Sequence, residues 1–504
     1  MRSQTFKSLT NAVAVFWPRG GRWRTAQFAK REIETQDGDA CLRECFRDGK
    51  QQSGVAIAAR TVRECHGLAG RVRWFVKHIF CRVACYCPDV KGLALLVASL
   101  PLYGQGAFLL RGGTVHTISG PVLQNASVLV RDGKIVGVGK GLAAPEGVPV
   151  IDVTGQHVYP GMIDSASTLG MNGLNPDVGE LGFFSPQLRS GSAVNWAAEP
   201  IAMARENGVT RAVTVPEGDL ISGQLSLIRL RSEAGETQTV AMHLRFPAIE
   251  TTRLVPHESD EDDEEPETAV RQEPIPYAEA KKIHDDRLHR LNDFFDQARR
   301  YRKGHTKTDL RFEAMLPVLN GTEKLFVTAV REREIREAIA FADRQKVKII
   351  LADAAECYKV LDLIKKRDIA VVLQPTWSLP TDEDDAYDRA FTTPGELYRA
   401  GIPFSIGTFG GVGSRNLPYQ AAAAVPFGLP HDEAYKAVSL SAARIFGLEK
   451  SLGSIEEGKQ ADLVVTDGDP LEVTTSVKRV FIQGEAVDLE SRRHKLYEKY
   501  LARP

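Results

Sequence analysis

Three carboxylates stand where acid–base chemistry could be done. Asp164, Glu217 (in Val215-Pro216-Glu217-Gly218-Asp219) and Asp353 each follow a run of β-type residues. The tip of a strand is where a barrel presents catalytic groups. Paired carboxylates at such tips can run hydrolysis without a metal, one taking a proton while the other gives one. Each also has a plain structural use: Asp164 as a loop or helix cap, Glu217 and Asp219 as loop formers, and Asp353 as the N-cap of the helix after it. His243, in Ala241-Met242-His243-Leu244, is the one histidine placed to end a barrel strand, and residues 306–430 hold none. A single imidazole is too few for tight metal capture. His157 suits packing or hydrogen bonding, and His284, His289 and His305 fall in a charged helical stretch where they are expected to face solvent. Cys357 lies in a predicted helix without a basic partner, and no Gly-x-Ser-x-Gly elbow occurs, so nucleophilic catalysis has no support.

The other cysteines, Cys41, Cys45, Cys65, Cys81, Cys85 and Cys87, all precede residue 91. Their spacing lacks the paired Cys-x-x-Cys knuckles of a structural zinc site, and His66 and His78 do not supply a second ligand pair. Residues 1–91 carry 17 Lys and Arg against 8 Asp and Glu, whereas the rest of the chain is net acidic. Residues 1–90 read as a basic, Cys-rich segment without a core of its own. Residues 91–107 resemble a secretory signal: Lys91, an apolar run from Gly92 to Leu102, and small residues at Gly104 and Gly106. The reading is that the native start lies near Val90, which implies an exported or periplasmic protein. A buried element within a genuine N-terminal domain is the alternative, and implies the cytoplasm.

The elements that must position the carboxylates begin at residue 108. Phe108–Thr117, Ala126–Val130, Lys134–Val138 and Val150–Val153 are short β-type runs, with Asp132-Gly133 as a hairpin turn. A matching set, Ala461–Thr466 and Val477–Ile482 with a turn at Gly484, closes the chain. Two such sets imply one small β-sandwich built from residues 108–158 and 452–488, with a tail helix over 489–504. Between them, strands such as Val209–Val215, Lys324–Ala329, Val347–Leu351, Ile369–Leu373 and Pro403–Gly407 alternate with amphipathic helices, including a long one from about Asp432 to Phe446. That pattern specifies a parallel sheet covered by helices, and residues 159–451 suit a (β/α)8 barrel. A doubly wound sheet is the alternative, without its Gly-x-Gly-x-x-Gly turn. An insertion near 256–305 interrupts the alternation with the acidic run His257–Glu265, a solvated loop, and an amphipathic helix from Ala278 to Arg302. The net charge of −1 gives no reason to expect nucleic acid or an anionic membrane, and no apolar run approaches the ~18 residues of a membrane span.

Two stretches carry a family resemblance. Val158-Tyr159-Pro160-Gly161-Met162-Ile163-Asp164 resembles the exit from the β-domain into the first barrel strand of the amidohydrolase superfamily, most of all its imidazolonepropionase-like branch. Gly453-Ser454-Ile455-Glu456-Glu457-Gly458-Lys459-Gln460-Ala461-Asp462-Leu463-Val464-Val465, followed by Asp467-Gly468-Asp469-Pro470, resembles the family's return into that domain. The resemblance implies a barrel hydrolase of non-peptide C–N bonds in small, often cyclic, amides. It also implies zinc or another divalent metal held by His and carboxylate. The positions that would hold the metal carry Ala166, Thr168 and Thr328, with Ala352-Asp353 ending the next strand, and Phe409 follows Gly407-Thr408 where the catalytic Asp is expected. No cofactor is therefore expected for this chain. Its partner is a small molecule, as substrate of a surviving hydrolase or as ligand of a non-catalytic relative that could also bind a partner protein.

Overall fold

The computed structural model describes residues 106–171, 181–231, 235, 237–256, 270–381 and 384–503, and two short paired strands at Phe16–Arg19 and Arg22–Thr25. The cysteine-rich segment, the signal-like residues up to 105 and the acidic run 257–265 lie outside the described residues. From residue 102 the chain forms one compact unit.

The two ends of this unit do assemble together. Strands β1 (Phe108–His116), β2 (Val122–Arg131), β3 (Lys134–Gly139), β4 (Val150–Asp152) and β5 (His157–Pro160) come from the first segment. The chain then enters the barrel through β6 (Met162–Ser167), β7 (Val209–Thr214), β8 (Gly223–Arg229) and β9 (Gln238–Arg245). An inserted hairpin, β10 (Thr252–Pro256) and β11 (Val270–Pro274), precedes β12 (Leu325–Thr328), β13 (Ile349–Ala352), β14 (Ala370–Leu373) and β15 (Phe404–Ile406). Strands β16 (Leu463–Thr466), β17 (Val477–Ile482) and β18 (Glu485–Ala486) return to the first sheet. There β16 pairs with β5, so the order is β18-β17-β16-β5-β1-β2-β3, with β4 beside β1. The eight strands are hydrogen-bonded as one continuous sheet. It curls on itself because Ile135 N donates to Lys459 O and Ala461 N to Gly133 O, each at 2.9 Å. Its inner face buries Phe108, Leu110, Val158, Leu463 and Phe481. Asp132 and Gly133 take φ of 51° and 74°, the conformation that the hairpin turn requires.

The barrel sheet runs β15-β14-β13-β12-β9-β8-β7-β6. Seven strands are parallel, but β8 is antiparallel to both neighbours. The expected uniform β/α alternation fails here because residues 215–222 and 230–237 are too short for the dozen or more residues of a crossover helix. The barrel is nearly closed: Phe409 N donates to Ala166 O at 2.7 Å across the seam between β15 and β6. Its interior is filled by Ile163, Ala166, Val213, Leu225, Phe326, Ile350 and Val372, with Phe409 packed against them.

Helices α1 (Glu199–Glu206), α2 (Tyr277–Lys303), α3 (Leu310–Leu319), α4 (Glu332–Gln345), α5 (Leu361–Lys366), α6 (Arg389–Ala400) and α7 (Leu417–Ala423) surround it. The helix expected over 432–446 is two, α8 (His431–Ala437) and α9 (Leu440–Ile445), broken at Ser439. There Val438 O leaves the helix ladder to accept from Ile163 N at 2.8 Å, tying β6 to the break. The tail forms α10 (Arg492–Leu501). Cys357 opens a 3-10 turn rather than sitting inside a helix, and burial pushes its thiol up to about 12. His284 corrects the expectation of a solvent-facing side chain. It lies on the apolar stripe of α2 with Leu291 and Phe295, buried, with Nε2 2.9 Å from Glu337 Oε2. His289 is exposed and His305 about one-third exposed. No helix among the described residues is long and apolar enough to cross a membrane.

The Pro160-Gly161 step has a steric reason. A Cβ on Gly161 would stand 2.2 Å from Thr210 Oγ1, because the chain passes directly over β7 as it leaves the small sheet.

Candidate functional site at the barrel mouth

A cleft of about 620 Å³ opens at the C-terminal ends of the barrel strands. Thr168, Glu217, His243, Thr328, Asp353 and Phe409 all line it, so six of the positions singled out in the sequence converge. Asp164 and Ala166 are fully buried beneath and do not reach it.

Asp164 lies on β6 and faces the loop after β15. Its Oδ1 accepts from Thr408 N at 3.0 Å and Ala166 N at 3.4 Å, and its Oδ2 from Thr408 Oγ1 at 2.6 Å and Ser414 Oγ at 2.7 Å. Ser167 Oγ, 2.8 Å from Ser414 Oγ, extends the network. No cation joins these contacts, so burial dominates and raises the carboxyl to about 6 against the pull of its donors. The arrangement is a polar lock across the barrel seam. Ser414 could not have been found from the sequence, since it sits in a glycine-rich loop 250 residues away.

His243 is equally committed. Its Nδ1 is 2.9 Å from Pro216 O, which can only accept, so Nδ1 carries the proton. Ser222 Oγ is 2.5 Å from the same nitrogen, and Thr328 Oγ1 is 3.0 Å from Nε2, to which its hydroxyl donates. Burial holds the imidazole down to about 4, so it is neutral near pH 7.

Asp353 differs from both. It adopts φ 53°, in the left-handed region that a residue other than Gly rarely enters, and among the described residues no hydrogen-bond donor reaches its carboxylate. It does not cap the following turn, whose first residues carry no side-chain cap. Burial and the neighbouring Glu334 raise its carboxyl to about 6, with Arg245 opposing. Glu217 lies exposed on the rim.

Several lining residues were not singled out beforehand: Arg245, Phe246, Arg287, Arg331 and Glu334. Arg245 was within reach, since strand period two puts it on the same face as His243. Arg287 was not, because it arrives on the inserted helix α2.

The positions that the resemblance assigns to metal ligands and to the catalytic Asp hold no imidazole or carboxylate. Thr168 and Thr328 offer neutral hydroxyls, Ala166 and Phe409 offer no lone pair, and both nitrogens of His243 are engaged. A Cβ on Gly407 would be 2.9 Å from Ala166 Cβ and 3.1 Å from Phe409 Cε2, so apolar groups close the floor. Among the described residues no three His, Cys, Asp or Glu side chains converge to hold a metal ion.

Residues 319–487 match the model of the amidohydrolase family. A dihydroorotase of Citrifermentans bemidjiense is 48% identical over 56 residues, 11% of this chain and 13% of the relative. The amidohydrolase tasK of Hapsidospora irregularis is 24% identical over 406 residues, 71% of this chain and 39% of the relative. The chain therefore spans well under half the length of either. The crystal structure of an amidohydrolase from Thermotoga maritima MSB8 has the same fold, with a TM-score of 0.65 at 24% identity over 76% of this chain and 99% of that one. The family match begins at the end of α3 and runs to the last strands of the small sheet, so this part of the chain is similar to the amidohydrolase family, and the unit has the fold of the Thermotoga maritima structure.

Proposed function

We propose that the protein binds a small molecule in the mouth of its amidohydrolase barrel without metal-assisted hydrolysis. The observation that carries this reading is the floor of the cleft, where Thr168 and Thr328 occupy metal-ligand positions that the family resemblance implies and Phe409 the position of its catalytic Asp, with Ala166, at a third ligand position, buried beneath. A hydrated dication there would exchange water for two neutral hydroxyls and a phenyl ring, and its desolvation would go uncompensated. Metal analysis of the purified chain tests it: zinc is expected well below one equivalent, and stoichiometric zinc that cannot be dialysed away would refute it. A ligand of the cleft should raise the unfolding temperature and be recovered chemically unchanged.

A second reading rests on Asp353. A strained backbone and an unpaired, partly buried carboxylate at a strand tip are features of functional positions. With its carboxyl near 6, Asp353 would be ionised at neutral pH and able to take a proton from water attacking a small cyclic amide, the substrate class suggested by the imidazolonepropionase-like resemblance. Under this reading Asp353→Asn abolishes any measured hydrolysis and Glu217→Gln does not. Undiminished turnover in Asp353→Asn would remove Asp353 from that role.

A further inference from the structure

We infer that the ligand of the barrel-mouth cleft is an organic cation, a protonated amine carried on an apolar body. The inference rests on the small-molecule reading above. The cleft is lined by five carboxylates, Glu217, Asp219, Glu250, Glu334 and Asp353, against three guanidiniums, Arg245, Arg287 and Arg331, while His243 is neutral. Two of the guanidiniums already face wall acids: Arg287 Nη2 is 3.6 Å from Asp219 Oδ2, and Arg245 Nη2 is 3.6 Å from Glu250 Oε1. Glu334 is occupied at the start of α4, where Oε2 accepts from Val330 N at 2.9 Å. Among the described residues no hydrogen-bond donor reaches Asp353, which feels the like charge of Glu334 and only the opposing charge of Arg245, a guanidinium shared with Glu250, an arrangement that an incoming cation relieves and an incoming anion worsens.

The apolar lining selects among cations. Phe246 and Phe409 both border the cleft, and phenyl faces attract an alkylammonium by their negative quadrupole while offering a hydrated inorganic ion nothing in exchange for its water. A carboxylate that supplies charge and phenyl rings that supply surface together describe a seat for an ammonium group with hydrocarbon attached.

Calorimetric titration of the full chain with benzylamine, benzyl alcohol and benzoate compares three charges on one ring. Benzylamine is expected to bind at least about tenfold more tightly than the other two. Asp353→Asn should erase that preference; asparagine tolerates the left-handed conformation, so the fold survives, as an unchanged unfolding midpoint will show. Phe409→Leu, which keeps the charge, should weaken benzylamine severalfold. Lowering the pH from roughly 7 to roughly 5 should weaken benzylamine by about tenfold as Asp353 takes up its proton. Benzoate or benzyl alcohol binding as tightly as benzylamine, or a preference that persists in Asp353→Asn, overturns the cation and leaves the small-molecule reading standing. No binding by any of the three also overturns the cation. The broader reading falls only if a chemically mixed small-molecule collection likewise leaves the unfolding temperature unchanged.

Discussion

Arg211→Ala should destabilise the protein by about 3–5 kcal/mol, through a charge left buried rather than through lost attraction alone. Arg211 projects from β7, the second barrel strand, into the joint with the small sheet. Its Nε donates to Asp462 Oδ2 at 2.6 Å and its Nη2 to Asp462 Oδ1 at 3.1 Å, the two-pronged geometry suited to a carboxylate. The same Nη2 reaches Gln460 Oε1 at 2.6 Å, and Asp462 Oδ1 also accepts from Gln483 N at 2.7 Å. The two side chains are 5% and 7% exposed, so solvent cannot replace the guanidinium once it is gone. Removing it strands the Asp462 carboxylate in a dry joint. The diagnostic comparison is Arg211→Met with Asp462→Asn, which withdraws both charges and keeps an acceptor for Gln483 N. Chemical denaturation should find the double variant more stable than Arg211→Ala, and both losses should be nearly indifferent to added salt. A double variant no more stable than Arg211→Ala would show that the joint depends on attraction between the partners and not on avoiding an orphaned charge.

Asp462 also shows what could be read in the chain beforehand. The stretches around Gly161 and Gly453–Pro470 were legible because their constraints are local. Gly161 must lack a Cβ where it crosses Thr210, and Asp132-Gly133 must enter left-handed conformations. The union of the two chain ends followed from matching β-type runs, and β5 does pair with β16. Strand direction was not legible. Gly223–Arg229 has the same side-chain pattern read either way, and only the shortness of its flanking loops reveals that it runs against its neighbours. The break between α8 and α9 was hidden because its cause is a bond from Val438 O to Ile163, far away in the sequence.

The candidate site divides in the same way. Positions were readable, since strand tips can be counted; partners were not. The hydroxyl that donates to His243 Nε2 belongs to Thr328, 85 residues on, and His284 has the surroundings of a surface residue in the sequence of a charged helix, yet Glu337 covers it. Asp164 and Asp353 appear alike in the chain, each a carboxylate after an apolar run. The fold gives the first two hydroxyls and two backbone N–H groups and the second no donor among the described residues, which separates a lock from a group available to a ligand.

That lock gives the second large effect. Between β6 and β15 the barrel lacks a strand ladder, and the seam is held by the Phe409–Ala166 backbone bond and by Asp164. Asp164→Ala leaves Thr408 N without an acceptor, while the hydroxyls of Thr408 and Ser414 can fall back on Gly410 O at 3.1 and 3.3 Å. The expected loss is about 2–4 kcal/mol, and hydrogen exchange should quicken first at the amides of Thr408 and Phe409 and along β6. Uniform quickening across the barrel would assign the loss to the core instead. The sign of the pH dependence follows from the raised carboxyl. Folded Asp164 binds its proton more tightly than the unfolded chain does, so its contribution to stability is greatest below about pH 4 and is lost as the pH rises through about 6. Asp164→Asn, which cannot ionise, removes that dependence, so its stability relative to the native chain should improve between these limits by up to about 3 kcal/mol. A constant difference between the two across that interval would mean that the carboxylate is no harder to ionise in the seam than in water.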